Sequence, residues 1–332
     1  MLNVDVIVGL QHGDEGKGKV THHLLKTGDY THCIRYNGGC NAGHTIYHKG
    51  DKFVTHHIPA GVFFGIKSII GPGCVIDIHK FFDEIKMLKE GGINVYDKIF
   101  IAKNAHVIQE KHLWSDSKET KIGTTRTGNG PCYSAKYART GKRAEDYRIL
   151  EPFLVDMYEE FYFHNPHATI LCEGAQGFEL DVDWGDYPYV TSSHCTVAGA
   201  LANGFPPKSI RKVYGVAKAY ETYVGSKKFQ PEEEVFSKIQ NIGAEFGATT
   251  GRPRQCNWIS LHHLDRAIRV NGVTDLIINK MDVLDEVKSW KIYSGKGKYN
   301  LLTFTNKEEF SQYLDYYFND MNISFSDSPH HI

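Results

Sequence analysis

Between Gly9 and Lys19 the chain reads GLQHGDEGKGK, where residues able to do chemistry alternate with residues that have no side chain. Gly13, Gly16 and Gly18 leave out the atoms that would hold a phosphate away from backbone amides, so the stretch reads as a phosphate cradle. Counted from Gly13 the spacing nearly matches a P-loop, with Gly18 and Lys19 in place, but Val20 stands where a magnesium-binding Ser or Thr belongs. A phosphate site still needs a metal. Asp14 or a backbone carbonyl is the natural replacement ligand, and Asp14 sits deep enough in the turn to act on a proton as well. On its own, the loop fits an ordinary charged turn equally well.

A second signal is Asn279-Lys280-Met281-Asp282, directly after the apolar run Leu276-Ile277-Ile278, at a strand end where open α/β sheets place ligands. It resembles the guanine-reading NKxD element of GTPases. A carboxylate at Asp282 accepts from the ring N1–H and the exocyclic amine of guanine together, while the Lys280 stem covers the ring. Adenine offers no such donor pair. Taken alone, four letters also fit a strand followed by a solvated charge pair.

Three more stretches are dense in glycine and polar groups: GTTRTGNGP at 123–131, EGAQGFELDVDWGDYPYVTSS at 173–193 and GATTGRPR at 247–254. Gln176 carries an amide that donates and accepts, which suits a purine edge, and Thr125 and Thr191 carry hydroxyls suited to phosphate oxygens. Arg252 and Arg254 present planar forks for carboxylate or phosphate, with surface salt bridging as their plain alternative. The pairs His56-His57 and His262-His263 lack metal-ligand spacing and read as structural.

These residues need a scaffold that brings distant loops to one edge. The alternation of Val4, Val6, Val8 and Leu10 predicts a strand before the phosphate loop, and His32–Tyr36, Ser68–Ile70, Lys98–Ala102, Ala168–Cys172, Val213–Ala217, Asp275–Ile278 and Ile323–Phe325 read as further strands. Lys49-Gly50-Asp51 reads as a hairpin turn between Thr45–His48 and Lys52–His56. Asp77 is placed to cap a helix over Ile78–Glu90 that stops at Gly91-Gly92. Helices are also expected near Leu150–Phe163 and Ser260–Val270, and from a capping box at Thr305 and Glu308 to about Asn319. The pattern predicts an α/β fold, one elaborated domain over residues 1–332 around a mainly parallel central sheet, with a P-loop-like loop after the first strand.

Composition bounds the rest. With 332 residues, 41% hydrophobic and 23% charged, the chain can bury a large core, and a net charge of -1 argues against a nucleic-acid binder or an acidic-membrane binder. Seven scattered cysteines without a CxxC pair indicate reduced thiols, and the start lacks a basic n-region, so a cytoplasmic protein is expected.

In order along the chain, QHGDEGKGK, NGGCNAGHT, GTTRTGNGP, EGAQG, DYPYVTSS, KAYETYVG, GATTGRPR and NKMDVLD resemble adenylosuccinate synthetase, and the resemblance covers most of the sequence. It implies a ligase that joins L-aspartate to C6 of IMP with GTP and Mg2+, through a 6-phosphoryl intermediate. By the same resemblance Asp14 is the catalytic base and a metal ligand, His44 the general acid, Lys17 a phosphate-loop lysine, and Gly43 a backbone metal ligand. Asn41, Thr125, Gln176, Thr191, Val224 and Arg252 fall among nucleotide-substrate contacts, and Arg139 matches an arginine that reaches across a homodimer interface. Thr249, Thr250, Arg252 and Arg254 match the loop that closes on aspartate. Gly13, Glu15, Gly16, Gly18, Lys19, Thr45, Lys280, Asp282, Ser326 and Pro329 match contacts to the nucleoside triphosphate.

The chain also departs from the family pattern. It is about a quarter shorter than the common bacterial form, as in compact archaeal-like and phage-type members. Tyr223 and Pro253 stand where many members carry Arg, and Arg126 with Thr127 alters a GTTGRG loop. A phage branch acts on dGMP in place of IMP, some of its members with ATP or dATP, and typically has a smaller residue at the catalytic aspartate. The presence of Asp14 favours IMP. Readings from other classes fare worse: a GTP switch needs the hydroxyl that Val20 replaces, and a nucleotide kinase leaves Gln176 and the GATTGRPR loop unexplained.

Overall fold

The computed structural model describes residues 1–247, 251–295, 297–328 and 332, without the side chains of residues 297–299. Thr249, Thr250 and Pro329 therefore lie outside the described residues. Nine strands form the central sheet: β1 Asn3–Gly9, β2 His32–Arg35, β3 Lys67–Ile70, β4 Ile99–Ala102, β5 Leu154–Val155, β6 Thr169–Glu173, β7 Ile210–Lys218, β8 Asp275–Asn279 and β9 Asn322–Phe325. Their order is β5-β4-β3-β2-β6-β1-β7-β8-β9, and every neighbouring pair is parallel.

Both faces of such a sheet must be covered, and β1 shows how its sequence meets that demand. Val4, Val6, Val8 and Leu10 enter the core on one face, while Ile7 enters the core on the other. Each such side chain contributes about 1.5–3 kcal/mol when fully buried. Asp5 is the one charge inside the strand, and it is tied off by the Tyr30 hydroxyl at 2.7 Å and by Arg211 Nε at 2.9 Å. All seven cysteines are buried and unbridged. Among the described residues no helix is long and apolar enough to cross a membrane.

The helix Ile78–Glu90 begins where Asp77 accepts from the Lys80 amide and ends at Gly91, as its sequence predicts. Two helices differ from expectation. Over Leu150–Phe163 the chain is broken rather than continuous: a 3-10 turn at Arg148–Phe153 contains Pro152, β5 follows, and Asp156 then caps a helical run at Met157–Glu159 that continues as a π-turn over Glu160–His164. Proline lacks the amide that a helix interior uses and pushes the preceding residue toward extended backbone. The last helix is Lys307–Tyr317, capped one residue later than expected: Asn306 accepts from the Glu309 amide and Glu309 accepts from the Thr305 amide. A four-stranded sheet of Tyr220–Tyr223, Gln255–Ser260, Trp290–Gly295 and Gly297–Phe304 was not read from the sequence. Its first strand follows β7 after the single residue Ala219, with no turn residue to mark the break.

Candidate active site

Loops following β1, β2, β6 and β7 leave the sheet at one edge and line a cleft of about 540 Å³. The phosphate loop spans the end of β1 and the start of the helix Lys17–Thr27, with Gly16 at its N-cap at φ 92°. Glu15 fastens the loop from inside. Its fully buried carboxylate accepts from the Gln11 amide at 3.1 Å, the Gly13 amide at 2.9 Å and Lys17 Nζ at 2.5 Å. That side chain is taken up within the protein, which leaves the Glu15 backbone amide for any ligand. Gly18 admits the next loop: a Cβ there would lie 3.0 Å from the Thr45 carbonyl and 3.2 Å from His44 Cβ.

Asp14 lines the cleft at φ 60°, a conformation rare for residues with a side chain. Its Oδ2 lies 2.9 Å from Arg254 Nε. His44 faces the same space, with its Nδ1 paired to Glu173 Oε1 and 2.7 Å from Arg35 Nη1. Arg35 in turn donates to Glu173 at 2.5 Å. Burial drives the Glu173 carboxyl up, but His44 and Arg35 outweigh it and hold it at about 2. Burial, reinforced by Arg35, holds the His44 imidazole down at about 4, so the ring is neutral at pH 7. The Nδ1–H tautomer fits the carboxylate it faces.

Three amides form a chain along one wall. Asn41 Oδ1 accepts from Gln176 Nε2 at 3.0 Å and from Asn129 Nδ2 at 2.6 Å, which commits that oxygen within the protein. Thr125 and Thr127 share a hydroxyl bond of 2.8 Å, and Thr191 is fixed by its amide to the Leu180 carbonyl at 2.8 Å. Arg252 donates from both terminal nitrogens to the Gly123 carbonyl at 3.2 Å. The cleft brings together Gly13, Asp14, Gly16, Lys17, Gly18, Asn41, Gly43, His44, Thr45, Thr125, Gln176, Thr191, Val224, Arg252 and Arg254 of the expected set.

Among the described residues, Lys19, Arg139, Lys280, Asp282 and Ser326 of the expected set lie outside this lining. Lys280 caps the helix Met281–Val287, with Asp282 in its first turn. Lys19 reaches Ser326 Oγ at 2.7 Å and the Ser328 carbonyl at 2.8 Å, and burial lowers its ammonium to about 8 against the pull of Asp282. These four form a separate group around the ends of β8 and β9. Arg139 is exposed, past the helix Asn129–Tyr137, outside the cleft of its own chain.

Sequence reasoning missed Arg35 and Glu173, although each is a charge closing an otherwise mostly apolar strand, HCIR and TILCE. It also missed Lys218 and Glu245, which lie beneath Arg254. For a divalent ion, Asp14 and the Gly43 backbone give the cleft hard oxygen donors, and phosphate oxygens complete such a shell. Asp181, Asp183 and His194 also approach one another, but Asp181 is already taken by the amides of Asp183, Trp184 and Cys195.

The family model described as adenylosuccinate synthetase matches residues 6–165 and 147–314. An adenylosuccinate synthetase of Chlorobium chlorochromatii is 40% identical over 343 residues, covering 86% of this chain and 78% of that one. A fully ligated adenylosuccinate synthetase structure from Plasmodium falciparum superposes with a TM-score of 0.88 at 28% identity, covering 98% of each chain. The succinoaminodeoxyadenylate synthetase of cyanophage S-2L, bound to dGMP and dATP, shares the fold with a TM-score of 0.71 at 22% identity, covering 94% of this chain and 99% of that one.

Proposed function

The chain belongs to the adenylosuccinate synthetase family of carbon–nitrogen ligases, which use a nucleotide co-substrate, and on that premise we propose that it joins L-aspartate to C6 of IMP, driven by GTP with Mg2+. The observation that carries the reading is one cleft in which a glycine-rich loop, a carboxylate at Asp14, a carboxylate-backed imidazole at His44 and the arginine pair Arg252 and Arg254 converge.

Amides of Glu15, Gly16 and Gly18, with Lys17 and Thr45, hold the phosphates at the helix N-terminus, and the absent side chain of Gly13 leaves them room. Lys280 and Asp282 take the guanine, with Lys19, Ser326 and Pro329 closing around it. Asn41, Thr125, Gln176, Thr191, Val224 and Arg252 seat IMP, and Arg139 enters from a second copy in a homodimer. Thr249, Thr250, Arg252 and Arg254 take the carboxylates of aspartate.

Asp14 removes the N1 proton of IMP, so that O6 attacks the γ-phosphate of GTP and GDP departs. The committed oxygen of Asn41 leaves its NH2 as the donor to the substrate. His44 holds a proton toward the transferred group: Glu173 accepts at Nδ1, so an anion arriving at Nε2 favours the cationic ring. Asp14 and the Gly43 carbonyl would hold Mg2+, which supplies charge neutralisation of the phosphates when bound. The amine of aspartate then adds at C6 and gives up a proton, the C6–O6 bond breaks, and phosphate departs carrying O6. A cytoplasmic setting fits these metabolites.

The test is phosphate release measured with IMP, L-aspartate and GTP–Mg2+, each omitted in turn. All three are required if this reading holds; full-rate release without aspartate identifies a GTPase instead.

A further inference from the structure

Beneath the cleft floor lies a group of buried charges to which the reaction above assigns no role. Glu245 has a side chain 1% exposed, and its Oε1 accepts from Lys218 Nζ at 3.1 Å and from the Tyr220 hydroxyl at 2.6 Å. Its Oε2 accepts from Arg254 Nη1 at 2.5 Å. Lys218, also 1% exposed, is held by Thr222 Oγ1 at 2.5 Å, and its backbone is pinned on both sides by the Gln11 amide. Two cations, Lys218 and Arg254, thus face two anions, Glu245 and Asp14, and the set is neutral.

The geometry points to Glu245 as a positioning residue, which holds the Arg254 guanidinium between itself and Asp14 so that the aspartate-binding fork is preset before substrate arrives. This rests on the role given to Arg254 under the proposed function. Lys218 and Tyr220 orient the carboxylate through one oxygen, which reserves the other for Arg254. With Nη1 spent on Glu245 and Nε beside Asp14, Nη2 is the nitrogen of the fork left for a ligand in the cleft among the described residues. A guanidinium fork fixed in advance loses less rotamer entropy on binding than a free one.

The same residue sets the neck of the GATTGRPR loop. The Arg254 amide donates to the Glu245 carbonyl at 2.9 Å, Phe246 bridges Pro253, and the Gly247 amide donates to the Arg252 carbonyl at 2.8 Å. On the near side of that neck, Lys280 Nζ donates to the Gly243 carbonyl at 2.9 Å. The base-reading lysine and the substrate-reading arginine are therefore anchored on one short segment, residues 243–254.

Glu245→Gln tests this in the full-length protein. A carboxamide has one oxygen for three donors and turns an NH2 toward another donor, so Arg254 loses its fixed seat. The expected result is a KM for L-aspartate raised by about tenfold or more with the KM for IMP within about twofold, and partial recovery in Glu245→Asp. In an Arg254→Ala background the same substitution is expected to change kcat/KM by less than about twofold, because Glu245 acts through that arginine. Equal rises in both KM values, or the same loss with and without Arg254, would overturn the proposal. If Glu245→Gln does not fold, Tyr220→Phe removes one bond from Oε1 and keeps the charge, and an unchanged aspartate KM there also overturns it. Absence of succino-nucleotide product in the unsubstituted protein would instead reject the proposed function, so the two failures are separable.

Discussion

Asn279, the last residue of β8, donates from Nδ2 to the Glu15 carbonyl at 2.8 Å, so the residue that opens the NKMD run also closes the phosphate loop. Gly16 lies directly against it: a Cβ there would meet Asn279 Nδ2 at 2.8 Å, at a backbone φ of +92°. Gly16→Ala is therefore expected to raise the KM for nucleoside triphosphate by about tenfold or more, with strain of order 1–3 kcal/mol. Gly92 is the control, since it has positive φ but nothing within 4 Å. Gly92→Ala should cost about 1 kcal/mol of stability and leave that KM alone. Equal kinetic effects at both sites would show that the packing against Asn279 is unimportant.

Asp14→Ala and His44→Ala should each lower kcat by about 100-fold or more, because both are assigned to charge that develops during the reaction. Asp14 is 36% exposed at its side chain, so its loss should barely move the melting temperature. Near-normal turnover in either variant removes that residue from the mechanism.

Asp282→Asn is expected to raise the KM for GTP while kcat with saturating GTP holds, since the amide loses an acceptor for the guanine donors. Competition between GTP and ATP is the measurement. A preference for ATP in the unsubstituted protein would mean that the NKMD run does not read guanine here.

Acid should destabilise the fold early. Burial holds His44 and His57 at about 4 and keeps His12 well below its ordinary 6.5. As pH falls from about 6.5 to about 4 the unfolded chain binds protons that the folded chain refuses, so the stability these groups give above that window is lost through it. Glu173 and Glu245, held at about 2 against the opposing effect of burial, extend the loss below the ordinary carboxyl value of 4.5. Urea unfolding between pH 6 and 5 should show stability falling by more than about 1.4 kcal/mol per pH unit, beyond what one group supplies. A shallower slope would mean that the histidines titrate normally.

Substrate choice turns on the 2-amino group that dGMP carries and IMP lacks. Asp14 sits in a tight turn at φ 60° with Oδ2 2.9 Å from Arg254 Nε, so moving aside for that group would separate the ion pair. IMP is expected to exceed dGMP by at least about tenfold in kcat/KM, within the roughly 1–3 kcal/mol that a polar mismatch at a buried site is worth. Parallel kinetics on IMP, GMP and dGMP decide it, and a higher efficiency on dGMP reverses the assignment.

The strands were legible where apolar runs are bounded by glycine or polar turns, as at β1 and β8, and the helix after Asp77 was legible because a side-chain cap and a Gly-Gly stop frame it. Pro152 marks the break in the stretch Leu150–Phe163, since it lacks the amide that a helix interior uses. The cleft was legible as a set of loops, because parallel strands deliver their carboxyl ends to one edge. What lay hidden were the partners. Glu173 and Glu245 act from behind His44 and Arg254, at sequence separations of 129 and 9 residues, and nothing local to any of the four names its partner.

β1 occupies the middle of the sheet, between β6 and β7, although it is synthesised before either of them. Its hydrogen-bonding neighbours begin at Thr169 and Ile210, so the strand has no native slot until the chain has grown past Ile210. At about 5–20 residues per second that wait lasts on the order of ten seconds or longer. During it VDVIVG is a bare, uncharged-edged apolar segment apart from Asp5, the kind that chaperones shelter. The phosphate loop is thus made well before the two strands that flank its own, and its native setting is complete only once both are in place.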